Sequence, residues 1–268
     1  LCTDGDFNVG TTNQSELVEL IEQEAADGIF LTVLGFGMGN YKDSTLEKLA
    51  DHGNGNYGYI DGKLEARRML VEQVGGTLVT IAKDVKIQVE FNPNLVSAFR
   101  LIGYENRMLR AEEFNDDAKD AGEIGAGHTV TALYELVPVG VEIDLPDVDP
   151  LKYQRPQRTG DAAAGNELFT LKLRYKEPDG QTSRLLEYPI EESGLTLVGT
   201  SSDFKFAAAV AAFGMILRES EHISDFSLAQ AAELAGDGIG DDASGYRSQF
   251  IELVQRADAL ASPVTEMR

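Results

Sequence analysis

The sequence has 268 residues, of which 43% are hydrophobic and 8% aromatic, so it can bury a sizeable core and is not disordered by composition. Its 45 acidic and 23 basic residues give a formal net charge of -22, which disfavours nucleic acid and anionic lipid as partners because both need basic surface. The single cysteine, Cys2, excludes an internal disulfide, and no apolar run approaches the ~20 residues of a membrane span.

Residues 1–62 alternate between strand and helix patterns. We predict a strand end at Leu1–Thr3, a helix over Ser15–Ala26, a buried strand over Ile29–Gly37, a short helix over Ser44–Asp51 and a strand over Tyr57–Ile60. This alternation predicts an α/β open parallel sheet with helices on its faces. A longer helix is predicted from Lys63 to Ala82.

From Asp84 the hydrophobic period changes to two. Strands are predicted over Val85–Phe91, Val96–Ile102, His128–Val137, Leu168–Tyr175 and Ser183–Tyr188. Strands that follow one another without helices indicate an antiparallel, sandwich-like module. Helical patterns then return over Asp203–Arg218, Leu228–Ala235 and Tyr246–Ala261. We therefore predict three segments: an α/β segment over 1–83, a β-rich module over 84–195 and a helical segment over 196–268.

The stretch Asp4-Gly5-Asp6-Phe7-Asn8 imitates the start of a calcium-binding EF-hand loop. The glycine required at the sixth loop position is Val9, and the glutamate required at the twelfth is Ser15. A strand also precedes the stretch where an EF-hand has a helix. The pattern instead predicts a turn at the carboxyl end of a parallel strand, where ligands bind in open α/β sheets.

The stretch LCTDGDFN, the helix after it and FLTVLGFGMGNYKDSTLEKLADHGNGNYGYID together resemble the second half of a von Willebrand factor type A domain. In that family a metal-ion-dependent adhesion site combines an Asp-x-Ser-x-Ser loop, a threonine and an aspartate after the fourth strand. Asp4 matches that last aspartate. The resemblance implies Mg²⁺ or Ca²⁺ in an intact parent protein.

The Asp-x-Ser-x-Ser loop and the strands before it do not occur in this sequence, so the resemblance implies a fragment of a longer protein. We expect no tight metal binding by the fragment alone. The strand at Cys2 is then expected to be an exposed edge, covered by the missing N-terminal piece or by another chain. Turn formation and helix capping are the alternative roles of Asp4 and Asn8.

RLIGYENRML at Arg100–Leu109 and DAGEIGAGHTVTALYEL at Asp120–Leu136 resemble bacterial proteins of the YfbK type, in which an A domain precedes a region of unknown function. The resemblance covers essentially the whole chain. It implies an exported or envelope-associated protein whose role is protein binding. The alternative is an assembly scaffold of the cell envelope without a functional metal site.

Other polar clusters have structural interpretations. Glu105 and Arg107 are predicted to form a structural polar cluster at a strand end. Asp144, Asp147 and Asp149 are either a weak calcium loop or, as we favour, an acidic solvated turn. The same preference applies to the acidic loop that contains Asp237, Asp241 and Asp242.

Signatures of catalysis are missing from the sequence. It has no Gly-x-Ser-x-Gly elbow, no phosphate-binding loop with Gly-Lys-Ser and no His-Glu-x-x-His. One cysteine and three scattered histidines leave few members for a nucleophile–base pair. The sequence therefore predicts a protein that is not an enzyme, although paired carboxylates for glycoside chemistry depend on spatial separation and remain open.

Overall fold

The computed structural model describes residues 1–4, 13–37, 43–104, 108–119, 121–142, 165–223 and 225–261. The described chain is mixed α/β and divides into two compact units, each assembled from three stretches. The first unit comprises Leu1–Phe91, Leu109–Val130 and Phe169–Ile190, and the second comprises Asn92–Met108, Thr131–Leu168 and Glu191–Arg268. The division into three consecutive segments, 1–83, 84–195 and 196–268, which we expect from the sequence, stays a prediction.

The first unit contains a parallel sheet of three strands in the order β1-β2-β3. Its strands are β1 (Cys2–Thr3), β2 (Val33–Phe36) and β3 (Tyr57–Ile60), and they alternate with helices α1 (Gln14–Ala26) and α2 (Asp43–His52). The side chain of Asn13 caps α1 by accepting a hydrogen bond from the Ser15 amide at 3.0 Å. The predicted alternation of strands and helices over this part of the chain is confirmed.

A compact hydrophobic cluster holds this sheet to its helices. Its most buried members, which are at most 1% exposed, are Val33 of β2 and Leu46, Leu49 and Ala50 of α2. Partly buried residues of α1, of β3 and of the stretch before β2 pack against them: Leu17, Val18, Ile21, Leu31 and Tyr57. The two carboxyl-terminal turns of α2 thus fix the position of β2 in the sheet.

The chain after β3 departs from the predicted long helix. It forms α3 (Lys63–Arg67), a π-helical turn over Arg68–Glu72 and α4 (Val74–Leu78), and then enters strand β4 (Thr80–Phe91). The prediction of helix up to Ala82 is therefore wrong. The physical reason is tertiary pairing: Thr80 and Ala82 pair with Gly125 and Ile124, and the Ala126 amide donates to the Val79 carbonyl at 2.8 Å.

Beyond β4, the described residues form strands β5 (Val96–Ile102), β6 (Gly122–Gly125), β7 (Leu133–Pro138), β8 (Glu167–Lys176) and β9 (Arg184–Glu191). Strand β4 pairs antiparallel with β6 and with β8, and β5 pairs antiparallel with β7. A sheet with the order β6-β4-β8-β9 belongs mainly to the first unit, and the pair β5-β7 belongs to the second. The strand predicted from His128 begins only at Leu133, and β6 was not predicted.

The second unit ends in helices α5 (Ser202–Leu217), α6 (Leu228–Asp237) and α7 (Tyr246–Ala261), close to the predicted ranges. Ser201 caps α5, and Ser227 with Gln230 forms a capping box on α6. Phe213, Leu228, Ala231 and Val254 form their buried core. Among the residues that the structure describes, no helix is both long and apolar enough to cross a membrane.

Candidate functional site

The carboxyl ends of the parallel strands bring Asp4, Gly37 and Asp61 to one edge of the sheet. Asp4 directly follows β1, Gly37 directly follows β2 and Asp61 directly follows β3. The register pairs Thr3 with Gly35 and Phe36 with Ile60, so the three strand ends are adjacent. This edge is where open α/β sheets bind their ligands.

Gly37 lies directly against Asp4. A β-carbon built on Gly37 would stand 3.9 Å from the β-carbon of Asp4, and Gly37 adopts a φ of +104°, which a residue with a side chain rarely adopts. The Tyr59 hydroxyl of β3 donates a hydrogen bond to the Gly37 carbonyl. Gly37 is therefore held beside Asp4 from the β3 side.

A second tyrosine ties β3 to helix α2. The Tyr57 hydroxyl donates to Oδ1 of Asp43, the first residue of α2. A carboxylate in the first turn also interacts favourably with the helix dipole. The Tyr57 contact thus holds the first residue of α2, and the Tyr59 contact holds the backbone of Gly37.

The described residues bring two aspartates, Asp4 and Asp61, to this edge and no complete set of metal ligands. Among them, no group of three or more His, Cys, Asp or Glu side chains is arranged to hold a metal ion. Mg²⁺ and Ca²⁺ take about six or more oxygen ligands, so further donors must come from outside the described residues. The role of Asp4 as a metal ligand stays a prediction.

The other residues singled out from the sequence fall in two groups. Glu105, Arg107, Asp144, Asp147 and Asp149 lie outside the described residues. Asp242 of the acidic tail loop is described and caps α7. Its carboxylate accepts from the Arg247 amide at 3.0 Å and from the Ser248 amide and hydroxyl, each at 2.8 Å. These bonds lower the pKa of Asp242, chiefly the one from the Ser248 amide.

Two buried lysines form a polar centre that sequence reasoning missed. Lys86 of β4 is 2% exposed and Lys176 of β8 is 8% exposed. Nζ of Lys86 donates to the carbonyls of Glu113, at 3.2 Å, and Asp116, and Nζ of Lys176 donates to the carbonyl of Asp117 at 2.8 Å. The two ammonium groups thereby hold the segment 111–117 against the sheet. This segment begins with the 3₁₀ helix Ala111–Asn115.

An ion pair and a carboxylate network complete this centre. Nζ of Lys176 lies 2.6 Å from Oδ2 of Asp84, and Oδ1 of Asp84 accepts from the Ala121 amide at 3.2 Å. Asp117 accepts from the hydroxyl and the amide of Ser183, and these bonds hold the pKa of Asp117 below its ordinary value. Both ammonium groups are occupied by protein acceptors, so the centre has a structural role in holding segment 111–117.

No sequence signal distinguished these lysines from solvent-exposed ones. The period-two pattern placed Lys86 with Gln88 and Glu90 on the polar face of β4, where exposure is the ordinary expectation. Their burial depends on segment 111–117, which is distant in sequence and carries no strong pattern.

Comparison with known proteins gives one strong family match. Residues 76–260 match the family model described as "Uncharacterized protein YfbK, C-terminal". The chain is 42% identical over 260 residues to the "Uncharacterized protein YfbK" of Escherichia coli (strain K12). That match covers 97% of this chain and 44% of the relative, so the chain spans less than half of the relative's length.

Two solved structures show weaker similarity. A von Willebrand factor type A protein from Catenulispora acidiphila is 15% identical, with a TM-score of 0.33, over 95% of this chain and 56% of that one. The human COPII-coat protein Sec24c is 11% identical, with a TM-score of 0.38, over 97% of this chain and 35% of that one. The chain therefore spans less than two thirds of each of these proteins as well.

Proposed function

The chain belongs to the YfbK family, and from this premise we propose that it is part of a non-enzymatic protein-binding module of an exported or envelope-associated bacterial protein. In the intact protein, binding depends on a divalent ion, Mg²⁺ or Ca²⁺, at the carboxyl end of the parallel sheet. We also propose that the parallel sheet β1-β2-β3 is the second half of an open sheet of the von Willebrand factor A type.

The position of Asp4 is the observation that carries the proposal. It is a carboxylate placed directly after a parallel strand, beside Gly37, whose carbonyl accepts a hydrogen bond from the Tyr59 hydroxyl. Carboxylate oxygens are preferred ligands of hard divalent cations, and the edge is the usual binding crevice of such sheets. Asp4 contributes one anionic oxygen, and an acidic side chain of the partner completes the ion's ligands.

The charge of the chain makes the ion necessary for this kind of partner. A net charge of -22 disfavours the approach of another carboxylate unless a cation stands between them. Salt screens exposed charges beyond about 8 Å at physiological ionic strength. Two carboxylates that meet at the site come closer than this distance, so their repulsion still acts. Removal of the ion is therefore expected to abolish capture of an acidic partner.

Capture of binding partners by the full-length gene product, with Mg²⁺ or with a chelator, tests the proposal. Wild-type protein should lose its partner in chelator, and Asp4→Ala should lose it in either condition. Asp27→Ala, which removes a carboxylate from the C-cap of α1, is the matched control and should behave as wild type. Capture that survives both chelator and Asp4→Ala would favour the alternative, an assembly scaffold without a functional metal.

The outer edge of β1 adds a second, independent contact to the proposal. Among the described strands β1 pairs only with β2, and Leu1 and Cys2 are exposed. A strand at the edge of a sheet readily pairs with a further strand. We propose that a further stretch of the protein, or another chain, covers this edge.

A further inference from the structure

The hydrogen bond from Tyr59 to Gly37 joins two strand ends at the edge where Asp4 lies. Tyr59 belongs to β3, and the Gly37 carbonyl that accepts the bond directly follows β2, the middle strand of the sheet. Asp4 directly follows β1, the next strand of the same sheet. The bond therefore acts on the backbone of the residue that lies against Asp4.

The backbone of Gly37 has more conformational freedom than that of a residue with a side chain. Its φ of +104° lies in a region that other residues rarely adopt, and it has no side chain whose packing could fix it. A β-carbon at Gly37 would be 3.9 Å from the β-carbon of Asp4, which is van der Waals contact. A shift of the Gly37 backbone would therefore change the space beside Asp4.

The two candidate ions differ in how much they depend on accurate placement of their ligands. Mg²⁺ demands near-ideal octahedral geometry at about 2.0–2.1 Å, whereas Ca²⁺ accepts about six to eight oxygen ligands in flexible arrangements. Loss of a hydrogen bond that supports a metal site typically lowers metal affinity by about 10–100-fold. Binding of Mg²⁺ should thus depend more than binding of Ca²⁺ on what holds the surroundings of Asp4.

We propose that Tyr59 is a positioning residue of the ion site: it holds the Gly37 carbonyl and thereby keeps the backbone beside Asp4 in the arrangement that Mg²⁺ requires. This inference rests on the proposed function, because it assigns a role at the same site. Tyr59 acts through Gly37 and is not itself an ion ligand. It makes the site selective for Mg²⁺ over Ca²⁺.

Calorimetric titration of the full-length gene product with Mg²⁺ and, separately, with Ca²⁺ tests the proposal. Tyr59→Phe removes only the hydroxyl, and we expect the Kd for Mg²⁺ to rise about tenfold and the Kd for Ca²⁺ to rise less than about threefold. Tyr57→Phe is the matched control. Its hydroxyl lies two residues away on the same strand, is also exposed and donates to Asp43 instead, so both Kd values should stay nearly unchanged.

A pair of glycine substitutions provides a second test that does not depend on the tyrosines. Gly37 and Gly28 both have a positive φ, +104° and +88°, so alanine strains the backbone at either position. No atom lies within 4 Å of a β-carbon built on Gly28. We expect Gly37→Ala to weaken Mg²⁺ binding and Gly28→Ala to leave it unchanged, with circular dichroism to confirm that each variant is folded.

The outcomes separate this inference from the proposed function. Equal Mg²⁺ affinity of the wild type and folded Tyr59→Phe would overturn the role of Tyr59 and leave the ion site at Asp4 standing. Equal losses in the two tyrosine variants, in the two glycine variants, or for the two ions would show a general effect on the fold and would also overturn it. Absence of binding of either ion by the folded wild type would contradict the ion site itself, and the role of Tyr59 with it.

Discussion

Lys86 shows how a single side chain can determine a contact between distant segments. Its ammonium group lies in the middle of β4, 2% exposed, and serves two carbonyls of the segment 111–117. A hydrogen bond from a charged donor contributes about 1.5–3 kcal/mol. The contribution of Lys86 is therefore expected to lie in its two bonds to this segment.

Replacement of Lys86 by methionine tests this assignment. Methionine keeps the apolar stem but removes the donor, so we expect the free energy of unfolding to fall by about 2 kcal/mol. Lys172→Met is the control, because Lys172 pairs across the same sheet with Glu90, which is 68% exposed, and should cost less than about 1 kcal/mol. Urea unfolding measures both; equal losses would mean that burial of Lys86 has no special role.

Asp117 gives a pH dependence at the same centre. The hydrogen bonds from Ser183 depress the folded-state pKa of Asp117, so the stability that they add is complete above the unfolded pKa of about 3.9 and is lost as pH falls through the lower folded pKa. We expect Ser183→Ala to move this pKa upward, as followed by carboxyl ¹³C NMR. Ser248→Ala should leave Asp117 unchanged and raise the pKa of Asp242 instead. An Asp117 titration insensitive to Ser183→Ala would contradict the assignment.

At the scale of elements, α6 must end in a residue without a side chain. A β-carbon on Gly238 would stand 2.5 Å from the backbone nitrogen of Phe206 in α5, whereas one on Gly236 would meet no atom within 4 Å. The close approach lets Arg247 of α7 donate to the Gly238 carbonyl at 2.8 Å while its guanidinium lies 4.9 Å from the ring centre of Phe206. The three helices are thus joined at this point.

The two glycines make a matched pair of substitutions. Gly238→Ala should destabilise the protein by about 1–3 kcal/mol, because backbone atoms must move to admit the methyl group. Gly236→Ala should stabilise it by up to about 1 kcal/mol, because alanine is the better helix former. Thermal unfolding followed by circular dichroism compares them; similar effects of the two changes would show that α5 and α6 do not approach so closely.

The elements that sequence patterns predicted well are those with strong local signals. Helices α5, α6 and α7 begin near capping serines or glycine-rich turns and carry apolar residues at helical spacing, and their predicted ranges were close. The helix expected up to Ala82 failed because pairing with β6 outweighed a local pattern already weakened by Gly75 and Gly76. β6 itself, with glycine at both ends, carries too little hydrophobic signal to be seen.

At the scale of the whole molecule, sequence order and spatial grouping differ. Strands β4, β6 and β8 pair although they are widely separated along the chain, and no local pattern encodes such pairing. The candidate site was predictable in part. Asp4 was identified from its place after a parallel strand. The contacts of Tyr57 with Asp43 and of Tyr59 with Gly37 depend on register and were not identified.

The contact proposed at the outer edge of β1 implies an assembly larger than one chain. The purified chain has a mass of 29.1 kDa, and we expect native mass spectrometry to show additional polypeptide or a second copy bound to it. Cys2→Arg, which places a charge on the exposed strand, should weaken that association. A monomer at all concentrations in native conditions would contradict the proposed edge contact.

The central claim is that Asp4 belongs to a divalent-ion site, and a calorimetric titration of the full-length gene product with Mg²⁺ tests it most directly. We predict a saturable heat of binding in the wild type that disappears in Asp4→Ala and persists in Asp27→Ala. A heat of binding that survives Asp4→Ala, or no binding by the folded wild type, would contradict the account.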